Sequence, residues 1–414
     1  MPHEFKHGYR FNIRNMPDAP TVVNDLPHVE INCAGEFLVK EGDAVRIGTS
    51  LCDRNGFRIT SPVSGNVSLA EGGVVRIVND MKYERDPSVC SFGMLTGKTV
   101  SELTFEDARD HIRSCGIVEG SSKRPTHELM ESYAGKTEKL IVNAVRCESA
   151  DMSEAAYAVF SPEKLIGGMK ILMKALGIKR GAVILSSCDK ARCGELVELA
   201  EKDSMTSVVT VSPKYPQNDP HLIVYALSGL ELSSIFGTER AGYAIFSAKS
   251  VAQIYDAFAT GSVSGREFVS FCSDSDGHLL DIPSGAPLEL VRQKFDLQDT
   301  AYEKNIWSGV KLDKKYAVQP GTDTVYFSDI EDKRRKTEFG CSKCGDCISV
   351  CPMYLFPFEF AYAGSRRALK AGVRACIECG LCEYICPAEL PLTEMIRKIK
   401  RKIEADKEDT AGEN

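Results

Sequence analysis

Two cysteine runs near the carboxyl terminus carry the plainest chemistry in this 414-residue sequence. CSKCGDCISVCP begins at Cys341 and CIECGLCEYICP begins at Cys376. Both spell C-x-x-C-x-x-C-x-x-x-C-P, a spacing that holds [4Fe–4S] clusters. Each run gives three thiolates to one cluster while its fourth cysteine reaches across to the other. Cys341, Cys344, Cys347 and Cys386 are therefore expected on one cluster, and Cys351, Cys376, Cys379 and Cys382 on the second. Zinc competes for C-x-x-C, but its sites usually combine two ligand pairs across a longer spacer. Three cysteines at three-residue steps wrap one side of a cubane instead. Pro352 and Pro387 stop the chain from running on as helix across the cluster.

Composition bounds the rest. The length predicts two to four domains, and the charged and apolar fractions are those of a globular protein. A net charge of −7 argues against general nucleic-acid binding. No apolar run approaches the ~20 residues needed to cross a bilayer, so direct membrane insertion is not expected. The start, MPHEFKHGYRFNIRN, lacks the apolar stretch of a secretory signal. Sixteen cysteines without such a signal point to a reducing cytoplasm, where thiols serve metals and redox chemistry.

The elements that must position the clusters follow from periodicity. Residues from about 20 to 80 read as short strands broken by glycine, as in VKEGDAVRIGTSL and ITSPVSGNVSLAEGGVVRIVN. This looks like a barrel-sandwich module, with Ser61-Pro62-Val63-Ser64-Gly65 expected at an exposed hairpin tip. The tip has no lysine, which argues against lipoyl or biotinyl attachment. From about 104 the rhythm becomes strand–helix alternation: KLIVNAV, then the amphipathic PEKLIGGMKILMKALGI, then GAVILSS. In such open sheets, ligands bind outside the carboxyl ends of the strands.

This order of parts resembles the RnfC subunit family of electron-transport complexes. The marks are GDAVRIG at 42–48, SPVSGNV at 61–67, GIV at 116–118, PTH at 125–127, ILMKALG at 171–177, KYPQ at 214–217 and YALSG at 225–229. Relatives of that family include cobalamin-reductase and proline-reductase-associated electron-transfer proteins and the NADH-binding subunit of complex I. The resemblance implies a multidomain α/β plus β protein. Residues 1–100 would hold the barrel-sandwich-like β module, 101–204 a βαβ flavin-type core and 205–284 a small α/β (SLBB-like) domain. A linker at 285–338, a ferredoxin-like helical domain with two clusters at 339–402 and a disordered tail at 403–414 complete the expectation.

In that family the core binds FMN and takes a hydride from NADH, and the flavin passes electrons singly to the clusters. The expected loop, GIV-G-x-G-G-A-G-F-P-T, lets backbone amides approach phosphate. Here it reads GIVEGSSKRPTH at 116–127, with Gly116 before it and Gly120 its only interior glycine. Ser121, Ser122, Lys123 and Arg124 would crowd the flavin, although Lys123 and Arg124 are also candidate phosphate partners. The family's N-x-x-E-C-E-P becomes Asn143-Ala144-Val145-Arg146-Cys147-Glu148-Ser149. These departures argue against standard FMN and NADH binding.

Cys115, Cys147, Cys188 and Cys193 fall near predicted strand ends, where convergence would make a thiol pair or a further metal site. Isolated buried thiols are the competing reading. Cys33, Cys52, Cys90 and Cys272 read as ordinary residues. Cations flank the clusters: Lys333, Arg334, Arg335 and Lys336; Arg366, Arg367, Lys370 and Arg374; and Arg397, Lys398, Lys400, Arg401 and Lys402. They can stabilise cluster charge, steer an acidic partner or simply solvate a helix face.

Taken together, the sequence predicts an iron–sulfur relay passing single electrons to a partner reductase or complex, with other subunits, ferredoxin or flavodoxin as partners. The chain would sit in the cytoplasm, peripheral to a membrane through partner subunits. Two alternatives are an FMN-containing NADH:acceptor oxidoreductase and a thiol-based electron donor using the core cysteines.

Overall fold

The computed structural model describes residues 2–120, 122–148, 151–263, 265–273, 275–328, 340–362 and 364–411, with side chains as far as residue 405. Its centre is a four-stranded parallel sheet in the order Thr206–Val211, Arg180–Ser186, Lys139–Ala144, Tyr243–Ser247. Side chains alternate across it with period two. Leu140, Val142, Val183, Leu185, Ala244 and Phe246 pack with the helices Pro162–Leu176 and Ala248–Thr260. Ile141, Ile184, Tyr243 and Ile245 pack on the other face with the helix Pro220–Ser228. Burial on both faces explains the near-continuous apolar runs. The order reverses between Lys139–Ala144 and Tyr243–Ser247, and that reversal is where open sheets leave a ligand crevice.

The expected boundary at 204/205 falls inside this sheet, because Thr206–Val211 and Tyr243–Ser247 pair with the earlier strands. The segment expected as a linker is also structured through Ser328. It forms the helix Leu288–Lys294 and the strands Thr300–Glu303, Val310–Lys311 and Thr324–Ser328. These complete a six-stranded sheet with Arg266–Cys272, Gly277–Pro283 and Thr21–Val22. The polar look of 285–328 comes from short strands whose buried residues, such as Ala301, Val318, Val325 and Phe327, are spaced by turns. Their pairing is tertiary, so local periodicity is weak.

Residues 28–79 form two small antiparallel sheets around Val29, Ile31, Leu51, Val63, Val75 and Ile77. Ser61–Gly65 is buried there rather than exposed at a tip. Gly65 lies against the Val78 carbonyl, and Pro62 packs on Gly265. The carboxyl-terminal part has short helices packed under Leu392–Ala411 through Phe360, Ala368, Leu392, Ile396 and Ile403. That last helix runs to Ala411, through most of the expected disordered tail. Strong helix formers and an i,i+4 pair between Glu394 and Lys398 support it. No helix among the described residues is long and apolar enough to cross a membrane.

Candidate redox site

Each cysteine run makes a turn that aims backbone at sulfur. Lys343 and Glu378 hold equivalent places in the two runs and take positive φ, 58° and 57°. Their N–H groups donate to Cys341 Sγ and Cys376 Sγ, both at 3.4 Å. Gly345 and Gly380, at φ 87° and 79°, then open the short helices that carry Cys347 and Cys382. Cys341, Cys344, Cys347 and Cys386 line one pocket of about 680 Å3. Cys351, Cys376, Cys379 and Cys382 line a second of about 430 Å3, walled by Met353, Leu355, Phe360 and Ile396. Among the described residues, no three His, Cys, Asp or Glu side chains stand close enough to share one metal ion. Four cysteines around each pocket, drawn from both runs, is the ligand set that a pair of [4Fe–4S] clusters takes.

The two pockets differ in setting. Ser342, Lys343 and Cys344 are exposed, whereas the second pocket abuts the core. Tyr215 Oη donates to the Cys379 carbonyl at 2.7 Å, and Gly380 lies against Trp307 and Ser308. Arg397 donates to the Ser308 carbonyl at 2.7 Å, and Ser234 to the Ala375 carbonyl at 2.8 Å. Arg397 and Lys400 both pair with Glu378, at 3.0 and 2.6 Å. Lys398 is largely exposed on the opposite side of the helix, so that helix has one face on Glu378 and one solvated face. The cations expected at 333–336 lie outside the described residues.

Between the second cysteine pocket and the sheet's reversal point runs a larger pocket of about 1540 Å3. Asn143, Val145 and Ser247 line its core side, and Cys376, Ile377 and Cys379 line the other. Asn143 is held by a bond from Nδ2 to the Asn218 carbonyl at 2.9 Å. Glu148 accepts from Asn305 Nδ2 at 2.9 Å, and burial, then the charge of Asp151, pushes its carboxyl up to about 7. Asp151, Glu154 and Asp323 continue this acidic wall, and burial raises Asp151 and Glu154 as well.

The residues at the expected phosphate position do not fit a phosphate. Glu119 is buried, and its carboxylate accepts from Ser247 N at 2.8 Å and Thr126 Oγ1 at 3.2 Å. Glu154 accepts from Lys249 N at 3.0 Å, and Gly120 N donates to Ser247 Oγ at 3.3 Å. The amides at the start of the helix Ala248–Thr260 thus already serve this chain's own carboxylates. The nearby cations are turned away too. Lys249 Nζ pairs with Asp323 at 2.8 Å and Glu267 at 3.0 Å, and Lys123 with Glu303 at 2.5 Å. Arg124 donates to the Glu128 carbonyl at 3.2 Å, so neither expected phosphate partner points into the crevice. Gly116 has positive φ and packs against the Arg58 carbonyl of the β module. Ser121 and Ser149 lie outside the described residues.

Arg146, standing where the family pattern has a carboxylate, is buried and pairs with Asp189 through two contacts of 2.5 and 3.1 Å. It also donates to the Arg14 carbonyl at 2.6 Å. This clasp ties down an amino-terminal segment that crosses the strand ends. Lys214 donates to the Phe5 carbonyl, Gly8 N to the Val350 carbonyl, and Phe11 stacks on Trp307.

The four core cysteines are dispersed. Cys147 packs with Tyr215, Val350 and Leu381, and Cys193 lies in the main core with Cys115, whose Sγ is 4.0 Å from His111 Nε2. Exposed Cys188 sits beside Asp189 and Arg146. No hydrogen bond between any two of them occurs among the described residues, and none lines the large pocket. None of these four thiols has a lowered pKa. Burial pushes Cys115 up to about 11 and Cys193 to about 12, and burial with Asp189 raises Cys188.

Sequence reasoning did not single out Tyr215, Trp307, Ser308, Glu154, Lys249 or Asp323. Tyr215 lies within KYPQ and was legible as a motif, but its partner Cys379 is distant in the chain. The carboxylates come from separate segments, so no local spacing announces them.

The Nuo51 FMN-binding domain family matches residues 112–256, and the 4Fe-4S dicluster domain family matches 340–390. One subunit of the Na(+)-translocating ferredoxin:NAD(+) oxidoreductase complex of Acetobacterium woodii is 26% identical over 350 residues, which is 80% of this chain and 78% of that one. The corresponding subunit of the proton-translocating ferredoxin:NAD(+) oxidoreductase complex of Clostridium ljungdahlii is 23% identical, covering 80% and 75%. The cobalamin reductase PduS of Citrobacter freundii is 21% identical, covering 74% of each chain. Among solved structures, an air-oxidised NAD+-reducing [NiFe]-hydrogenase aligns at TM-score 0.51 and 14% identity. That alignment covers 75% of this chain and 64% of the hydrogenase chain, and it bears on the fold alone.

Proposed function

From the premise that this is an RnfC-like iron–sulfur electron-transfer protein with two [4Fe–4S] clusters, we propose that it is a two-step wire between an internal pocket and the molecular surface. Cys351, Cys376, Cys379 and Cys382 hold the cluster on the pocket side. Cys341, Cys344, Cys347 and Cys386 hold the cluster on the solvent side. The observation that carries this reading is the division of eight cysteines into two sets of four, each lining its own pocket, in the pairing that the run spacing requires. When bound, the clusters supply one-electron chemistry. The chain orients them through the amides on Cys341 and Cys376 Sγ and balances the inner one with Arg397 and Lys400.

The partners on this reading are other subunits of an ion-translocating redox complex, with ferredoxin or flavodoxin as soluble carriers. The chain then works in the cytoplasm and meets a membrane only through those subunits.

A second reading, an FMN-containing NADH oxidoreductase, is favoured by the FMN-binding-domain match at 112–256. Glu119 and Glu154 oppose it, because their carboxyls already accept from Ser247 N and Lys249 N, backbone amides that a phosphate at this helix start would need. Anaerobic purification, flavin extraction and NADH addition separate the two. The wire predicts about eight irons per chain, from two four-iron clusters, and bleaching by dithionite but not NADH. Stoichiometric FMN with bleaching by NADH would overturn it.

A further inference from the structure

The inner cluster pocket is covered by the core, so a protein partner must exchange electrons elsewhere. Residues 354–362 and 364–370 offer the place. The short helix Pro357–Tyr362 has two unlike faces. On the inner face Phe358 lines the outer cysteine pocket, and Phe360, fully buried, lines the inner one. On the outer face Phe356 and Tyr362 are 48% and 54% exposed. Glu359 stands between Phe356 and Tyr362 and pairs at 3.3 Å with Arg367 of the next helix, Ser365–Lys370. That contact joins the two helices, and Arg366, Arg367 and Lys370 are all exposed on the second.

We propose that this aromatic face, with its rim of Arg366, Arg367 and Lys370, is the docking surface for an acidic one-electron carrier protein. The proposal rests on the electron-wire reading above. Aromatic residues and arginine are the side chains that most often anchor protein interfaces. The exposed loop Ser342–Cys344 beside the outer pocket carries no large apolar side chain. A carrier seated on the outer face would lie about one helix diameter, ~10 Å, from both cysteine pockets. The carrier's centre loses one electron and a cluster of this chain gains it, with no bond made and no proton moved. The positive rim selects an acidic carrier and raises its encounter rate.

The test uses the full chain with reconstituted clusters and a small acidic [4Fe–4S] ferredoxin, reduced beforehand, in stopped-flow bleaching. Arg366→Glu with Arg367→Glu should slow the bimolecular rate by about tenfold at low salt, and the wild-type rate should fall as salt rises. Phe356→Ser with Tyr362→Ser should slow it without changing the salt dependence. Reduction by methyl viologen radical should be unchanged in every variant, which also shows that the clusters are intact. Unchanged ferredoxin rates in both variants, or a ferredoxin that fails to reduce wild type, would overturn the docking surface alone. Clusters that viologen cannot reduce would overturn the wire itself. Anionic phosphatidylserine vesicles provide a further arm. Binding by wild type that both variants lose, with ferredoxin rates unchanged, would reassign the face to a membrane.

Discussion

The pocket of Cys341, Cys344, Cys347 and Cys386 and the pocket of Cys351, Cys376, Cys379 and Cys382 are built by the same turn, with a left-handed residue after the first cysteine and a glycine before the third. Their surroundings have little in common. The first leaves Cys344 and Lys343 exposed. The second is roofed by Tyr215, Trp307 and Ser308 and opens towards an acidic pocket in the core. A repeated local motif therefore yields two electrostatically different sites, because solvent and neighbouring charge, not ligand identity, tune a cluster. On the proposed wire, division of labour between an inner and an outer site comes from packing.

The comparison breaks most visibly on ligand removal. Cys344→Ser and Cys379→Ser should each reduce the iron content from about eight to about four per chain. Only Cys379→Ser should also loosen the module from the core, read as a larger fall in thermal midpoint. Equal falls would mean that both pockets are equally exposed.

The acidic wall facing the inner site gives a pH signature. The Glu148 carboxyl is raised to about 7 from an ordinary 4.5, so between those values the folded chain binds more protons than the unfolded one. Stability should then fall as pH rises through that window. Glu148→Gln should flatten the fall and recover about 1–3 kcal/mol above pH 7, measured by anaerobic denaturation at pH 5 and pH 8. Replacing the Tyr215 hydroxyl, as in Tyr215→Phe, should cost about 1 kcal/mol of docking and alter the spectrum of the inner cluster only. The smallest effect is electrostatic. Lys400→Gln should lower the inner potential by about 1 kcal/mol, on the order of 40 mV for one electron, and leave the outer unchanged.

Much of this was legible in sequence. The paired runs, the βαβ strands Lys139–Ala144 and Arg180–Ser186 and the helix Pro162–Leu176 each announce themselves through local spacing. Loss of the loop glycines at 116–127 pointed to an altered phosphate site. The partners that fill that site were not readable, since Glu119 meets Ser247 and Glu154 meets Lys249 across long stretches of chain. The burial of Ser61–Gly65 was missed for a related reason: a glycine- and serine-rich turn looks exposed until Gly265 is seen against Pro62. Residues 285–328 looked irregular because their strands are short and pair with distant partners.

By itself the sequence determined the cluster ligands' spacing, the periodicity of the parallel core and the absence of a glycine-rich phosphate cradle. These are properties of a few consecutive residues, so chain geometry alone carries them. Only the tertiary structure decided which cysteine site is covered, where Glu119, Glu154 and Asp323 gather, and that the four core thiols stay apart. Those outcomes depend on which distant segments exclude water from one another, and burial, unlike spacing, is not written locally.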